Sequence, residues 1–138
     1  MADFQVIIVG AGLAGLTAAI HLSRAGKRVL LIEKKAYPRH KVCGEYLSNE
    51  VIPYLHSLDI DLEKDLNPVK IHKLLYSTQN AKSIETSLNL GGMGLSRYAL
   101  DDFLFKKAEE NGAETLIESV ENINFENDEF TLKLSSGK

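Results

Sequence analysis

The sequence has a single cysteine, no excess of basic charge and no apolar run long enough to span a membrane. The lone Cys43 has no internal disulfide partner, so nothing points to an oxidising compartment, and a reducing cytoplasm is the expected setting. With 16 Lys and Arg against 19 Asp and Glu, the formal net charge is -3. That balance offers nucleic acid no footprint and speaks to solubility rather than fold. The first apolar run is broken by Gly10, Gly12 and Gly15, follows Asp3 rather than a basic stretch, and meets His21 and Arg24 early. It therefore reads as neither a signal peptide nor a transmembrane helix. His40 and Cys43 are potential metal ligands, but no second pair follows at zinc-site spacing, so no metal site is expected. No repeat or low-complexity tract is present. What remains, 44% hydrophobic and 25% charged over 138 residues, is the composition of one globular domain at most.

The elements alternate. Phe4 to Val9 is short, apolar and rich in β-branched residues, which predicts a strand buried on both faces of a parallel sheet. Leu13 to Ala25 spaces Leu16, Ala19 and Ile20 at helical intervals and ends before Gly26, a helix C-terminus signal. Arg28 to Glu33 is again a short apolar run, and a strand reached through a crossover helix lies parallel to its predecessor. The fold class is therefore α/β, a Rossmann-like parallel sheet opened by a βαβ unit. Beyond it, Pro38, Arg39, His40 and Lys41 mark an irregular basic connection, and a helix near Ser48 to Leu58 is expected to be shortened or broken by Pro53. Lys70 to Ser77 and Ser83 to Leu90 read as strands around Gln79-Asn80, and Gly91-Gly92-Met93-Gly94 as a flexible segment. Arg97 to Asn111 is a periodic helix capped by Gly112. Glu114 to Glu118, Glu121 to Phe125 and Glu129 to Leu134 are expected strands, the last two a hairpin around Asn127-Asp128 and part of an antiparallel β-meander.

The glycines sit where a phosphate would need them. In Gly10-Ala11-Gly12-Leu13-Ala14-Gly15 the first glycine permits the strand-to-helix turn, the second lets a pyrophosphate approach the backbone, and the third lets helix and strand pack closely. The free N–H groups at the helix start, near Leu13 and Ala14, face the anion, and the helix dipole favours its charge. About 20 residues further on, Glu33 ends the second strand, where a carboxylate can accept hydrogen bonds from an adenosine ribose and would repel a 2′-phosphate. Ala19 and Leu22 on the packing face, Gly26 and Val29 complete the context that separates this motif from an ordinary glycine turn.

The whole pattern, Gly10-x-Gly12-x-x-Gly15-x-x-x-Ala19-x-x-Leu22-x-x-x-Gly26-x-x-Val29-x-x-x-Glu33, resembles the FAD-binding N-terminus of the p-hydroxybenzoate-hydroxylase-like flavoproteins. That group includes aromatic monooxygenases, flavin-dependent halogenases and geranylgeranyl reductases. Lys41-Val42-Cys43-Gly44 resembles the Lys-x-Cys-Gly segment of the reductases, and Ser96-Arg97-Tyr98-Ala99-Leu100-Asp101 resembles the group's arginine and Leu-Asp segment. Glu45-Tyr46 stands where the reductases tend to continue with glycine, and Gly44-Glu45 is equally similar to the Gly-Glu-Ser segment of the halogenases. The branch is therefore the one holding both.

The resemblance implies FAD as cofactor, with NAD(P)H admissible as reductant. It implies that Gly10, Gly12, Leu13, Ala14 and Gly15 surround the pyrophosphate, that Glu33 holds the adenosine ribose and that Lys34 lies on the adenine side. It also implies that Cys43 and Gly44 lie beside the flavin, that Arg97 reaches the FAD and that the backbone of Val120 meets the adenine. No catalytic residue is assigned. Cys43 read alone is a small packing residue, although Arg39, His40 and Lys41 would favour its thiolate if it is exposed. Because the group's second FAD segment has no counterpart, residues 1–138 read as the N-terminal part of an FAD-binding domain, with the substrate domain absent. By ordinary multi-domain sizes this is about a third to two-fifths of the whole. The expected activity is reduction of carbon-carbon double bonds in a polyprenyl or other apolar small molecule, possession of a lipid substrate allowing peripheral membrane contact of the full-length protein. Monooxygenase or halogenase chemistry is the alternative, and a non-enzymatic NAD-binding module the reading from another class.

Overall fold

A computed structural model of the chain describes residues 4–137. In chain order it contains β1 (Val6–Val9), α1 (Leu13–Arg24), β2 (Val29–Glu33), β3 (Tyr46–Ser48), a single 3-10 turn at Asn49–Val51, α2 (Ile52–Ser57), α3 (Leu62–Leu66), β4 (Val69–Ser77), β5 (Ser83–Gly94), α4 (Arg97–Glu110), β6 (Glu114–Ile117), β7 (Val120–Glu126) and β8 (Glu129–Leu134). Two compact units result. One comprises the described residues through Arg39 and those from Asp101 onward, the other His40 to Leu100.

The first unit is the expected βαβ core. β1, β2 and β6 form a parallel sheet in the order β1-β2-β6, with Val6 opposite Val29 and Glu33 opposite Ile117. β2 is the central strand, and Val29, Leu31 and Ile32 are buried. β1, expected to be buried on both faces, is instead half-buried, because among the described residues it pairs only with β2. α1 packs on β1 and β2 through Leu16, Ala19 and Ile20, each fully buried. Burying a Leu or Ile side chain contributes about 1.5–3 kcal/mol, so this stripe is what fixes the helix on the sheet. α1 ends at the predicted place, with Gly26 at φ +76, a left-handed position that glycine adopts without penalty. The β7–β8 hairpin turns at Asn127 and Asp128, both with positive φ, as an Asn-Asp type I′ turn requires.

The second unit is a three-stranded antiparallel sheet in the order β3-β5-β4, with three short helical turns. The helix expected near Ser48 to Leu58 is shortened: Pro53 opens α2 near its first position, where the missing N–H costs nothing, and the residues before it form β3 and the 3-10 turn. One expectation is corrected here. Gly91-Gly92-Met93-Gly94 is not a flexible segment but the buried end of β5. A Cβ on Gly92 would stand 2.3 Å from the Tyr46 ring, while Tyr46 Oη donates to Gly91 O at 3.1 Å. Gly92 leaves the space that the Tyr46 ring occupies beside the strand. α3, N-capped by Asp61 Oδ1 accepting from Lys64 N, was not foreseen because five residues are too few for a periodicity to show. Among the described residues no helix is long and apolar enough to cross a membrane.

Candidate functional site

Each glycine of the loop has a different physical reason. Gly10 adopts φ +100, which excludes an L side chain without strain. Gly15 is a packing glycine, since a Cβ there would lie 2.0 Å from Gly10 O and 3.3 Å from Ile8. Gly12 has an ordinary φ of -76, and nothing lies within 4 Å of where its Cβ would be. Among the described residues no neighbour requires glycine at position 12. The space beside it is open, as a backbone meeting an external group needs.

The helix beyond the loop is left uncapped. No side chain caps the N–H groups of its first turn, which holds no acidic residue; Thr17 Oγ1 donates only to the carbonyls of Leu13 and Ala14. The first N–H groups of an α-helix have no intrahelical partner and carry the positive end of the dipole. Leu13 and Ala14 therefore stand at the positive end of α1.

Glu33 ends β2 with its carboxylate turned into the unit, 5% exposed. Its Oε2 accepts the N–H of Ala11 at 3.0 Å, its Oε1 accepts the N–H of Lys35 at 3.2 Å, and Arg39 Nη2 stands 2.8 Å from Oε1. Burial raises the carboxyl pKa, but the Ala11 and Lys35 N–H groups and the charged Arg39 more than offset it. The group is held below the usual carboxylate range and is ionised at neutral pH. The sequence assigned Glu33 to a ribose; the structure adds that the same carboxylate fastens the glycine loop. A carboxylate offers about four acceptor positions, so one remains for a ribose hydroxyl after these three donors.

Two residues outside the predicted set complete this arrangement. Tyr37 Oη donates to Ala11 O, its ring lies 5.0 Å from that of Phe105, and the Arg39 guanidinium sits 4.7 Å over it. Arg39 also donates to Lys35 O. The signal in the sequence was slight, a cation six positions beyond the acid that ends the second strand. Asp101, fully buried in α4, was likewise given no role of its own.

Gly10, Glu33, Lys34 and Val120 line one open groove of about 450 Å³, together with Val9, Ile32, Glu118 and Ser119. The groove is built by the parallel sheet, since Glu118 N donates to Glu33 O at 2.9 Å and places the start of β7 beside the end of β2. Four residues spread over 110 positions of sequence thus meet where strands end, the usual location of ligands in such sheets.

Cys43, Gly44 and Arg97 belong to the second unit. There Glu45 O accepts from Leu95 N at 3.0 Å, so the Cys43-Gly44 segment runs alongside the residues that lead into Arg97. Cys43 is exposed, and its Sγ accepts weakly from Glu45 N at 3.4 Å. No side chain occupies the space at Gly44. Arg97 opens α4 just after Ser96, whose Oγ accepts from Ala99 N at 3.2 Å.

Residues 5–42 match the family model described as an FAD binding domain. The chain is 36% identical over 118 residues to a menaquinone reductase of Mycobacterium tuberculosis, covering 82% of this chain and 28% of that protein. The solved structure of a geranylgeranyl bacteriochlorophyll reductase-like protein from Thermoplasma acidophilum matches with a TM-score of 0.78 at 26% identity, over 95% of this chain and 34% of that one. The flavin-dependent brominase Bmp2 shares the fold with a TM-score of 0.82 at 21% identity, over 99% of this chain and 35% of that one. The chain is thus similar to FAD-dependent reductases and shares its fold with flavin-dependent halogenases, and FAD is the cofactor that its match to an FAD binding domain indicates. It spans about a third of the length of these relatives, 28% of the menaquinone reductase and 35% of the brominase.

Proposed function

We propose that residues 4–137 hold the adenosine and pyrophosphate end of FAD in an oxidoreductase that reduces carbon-carbon double bonds of a polyprenyl or similarly apolar molecule. The observation that carries the FAD placement is the pairing of Gly12, for which the chain itself gives no reason, with the uncapped start of α1. When bound, the flavin supplies hydride transfer or reaction with oxygen, chemistry that belongs to the cofactor. The chain's part is to bind and orient. The N–H groups of Leu13 and Ala14 would take the pyrophosphate, Gly10 and Gly12 would let it approach, and Gly15 would keep the helix close enough to do so. Glu33 would accept from the ribose, with Lys34 and Val120 on the adenine side of the groove. Cys43, Gly44 and Arg97 would serve the flavin half, Cys43 as a small polarisable wall.

The reductase reading is supported by Lys41-x-Cys43-Gly44 and by the relatives named for menaquinone and geranylgeranyl, both isoprenoid compounds. A lipid substrate of that kind would bring the full-length protein to a membrane surface from the cytoplasm, with NAD(P)H as a source of electrons. Monooxygenation or halogenation is the second reading, favoured by Gly44-Glu45 and the brominase fold. The test is anaerobic. The flavin of the full-length protein is reduced, a geranylgeranyl lipid is added, and reoxidation with loss of double bonds is expected. Reoxidation only when oxygen and an aromatic substrate are admitted, with a hydroxylated or halogenated product, decides for the second reading. A purified full-length protein that is colourless and binds NAD instead would return the chain to a nucleotide-binding module.

A further inference from the structure

We propose that Tyr37 and Arg39 are positioning residues for the dinucleotide, acting through Ala11 and Glu33 rather than on the ligand. The inference rests on the FAD reading above and goes beyond it to two residues that the glycine motif does not include. Ala11 is fully buried, and both of its backbone polar groups are taken. Its N–H goes to Glu33 Oε2 at 3.0 Å and its C=O to the Tyr37 hydroxyl. The peptide planes on either side of Ala11 are thus gripped from the end of β2 and from the segment that follows it. The carbonyl of Ala11 belongs to the peptide whose N–H is that of Gly12, so orienting one orients the other.

Arg39 joins the two grips. Its guanidinium is 2.8 Å from Glu33 Oε1 and 4.7 Å over the Tyr37 ring, and it is further tied to Lys35 O. A planar guanidinium can pair with a carboxylate and stack on an aromatic face together, which a lysine ammonium cannot do equally well. Phe105, 5.0 Å from the Tyr37 ring, supports that ring from α4. The loop is therefore set before any ligand arrives, and a ligand pays no ordering cost for it. Preorganisation of this kind raises affinity without adding a contact.

The experiment uses the full-length protein stripped of FAD and titrated with FAD. Tyr37→Phe keeps the ring and removes the hydroxyl; Arg39→Gln removes the charge and the planar fork. Each is expected to raise the Kd for FAD about tenfold, in the range set by loss of one strong hydrogen bond. Arg39→Lys should recover part of the loss, and the control Lys106→Gln, which breaks a surface pair with Asp102, should keep the parental Kd. The apoprotein melting temperature of Tyr37→Phe is expected to stay close to that of the parent, so that lost affinity is not lost fold. Parental Kd values for both Tyr37→Phe and Arg39→Gln would overturn the proposal while leaving the FAD reading in place. A parental apoprotein that takes up no FAD would remove both.

Discussion

Glu33 Oε2 accepts the backbone N–H of Ala11 at 3.0 Å, so the residue that ends β2 is bonded to the middle of the loop that ends β1. One carboxylate therefore belongs both to the groove lined by Gly10, Lys34 and Val120 and to the loop beside it.

Replacing Glu33 with alanine should do two kinds of harm. It removes the acceptor for a ribose hydroxyl, which should weaken FAD binding by about 1.5–3 kcal/mol, and it leaves Ala11 N–H buried without a partner. FAD titration of the full-length variant, beside its apoprotein melting curve, separates the two. Unchanged FAD affinity would take Glu33 out of the site.

Acid should loosen the same point. The folded-state pKa of Glu33 is held below its unfolded value, so the stability it lends is complete above the ordinary glutamate pKa of about 4.3 and is lost as pH falls through the lower, folded value. Arg39, Lys34, Lys35 and Glu118 are charged residues around this end of β2, and the Ala11 N–H first, then Arg39, hold the carboxyl low. The acid limb of the melting temperature should be shallower in Glu33→Gln than in the parent below about pH 4. Superimposable acid limbs would place the titration elsewhere.

Gly12 and Gly15 should fail differently. A Cβ at position 12 has no described atom within 4 Å, so the Gly12→Val apoprotein should fold and bind no FAD. Gly15→Ala sets a Cβ 2.0 Å from Gly10 O and should damage folding itself, with overpacking costs of about 1–3 kcal/mol or more. A Gly12→Val protein that purifies fully loaded with FAD would show that the loop does not cradle the pyrophosphate.

Gly92→Ala probes the other unit. The added methyl falls 2.3 Å from the Tyr46 ring, an atom group that can move, so the variant should lose about 1–3 kcal/mol. Adding Tyr46→Ala should recover much of that loss. Additive losses in the double variant would separate the glycine from the ring.

The βαβ unit was legible because its signals are local. Leu16, Ala19 and Ile20 at helical spacing and Gly26 beyond them announced α1 within a residue or so of its observed ends. The meeting of Gly10, Glu33, Lys34 and Val120 in one groove was implied by resemblance and rests physically on the parallel pairing of β2 with β6. The misread stretches are those where a long-range partner decides. Gly91 and Gly92 look mobile in a sequence and are fixed by Tyr46, 45 residues from Gly91 in the chain. Arg39 looked like one cation of a basic run until its partner Glu33 was in view. A glycine's local freedom and an arginine's charge are visible in sequence; what fills the space or meets the charge is not.

The three motif glycines also set how easily the chain could abandon its cofactor. Two of them are bound into the architecture, Gly10 by its φ and Gly15 by its neighbours, so most replacements there would be purged with the fold. Gly12 is exposed to no such check. A descendant that kept its shape and surface but exchanged this one glycine for a bulky residue would pass every requirement of folding while holding no flavin, which makes position 12 the place to look when a sequence of this kind is suspected of having become a scaffold.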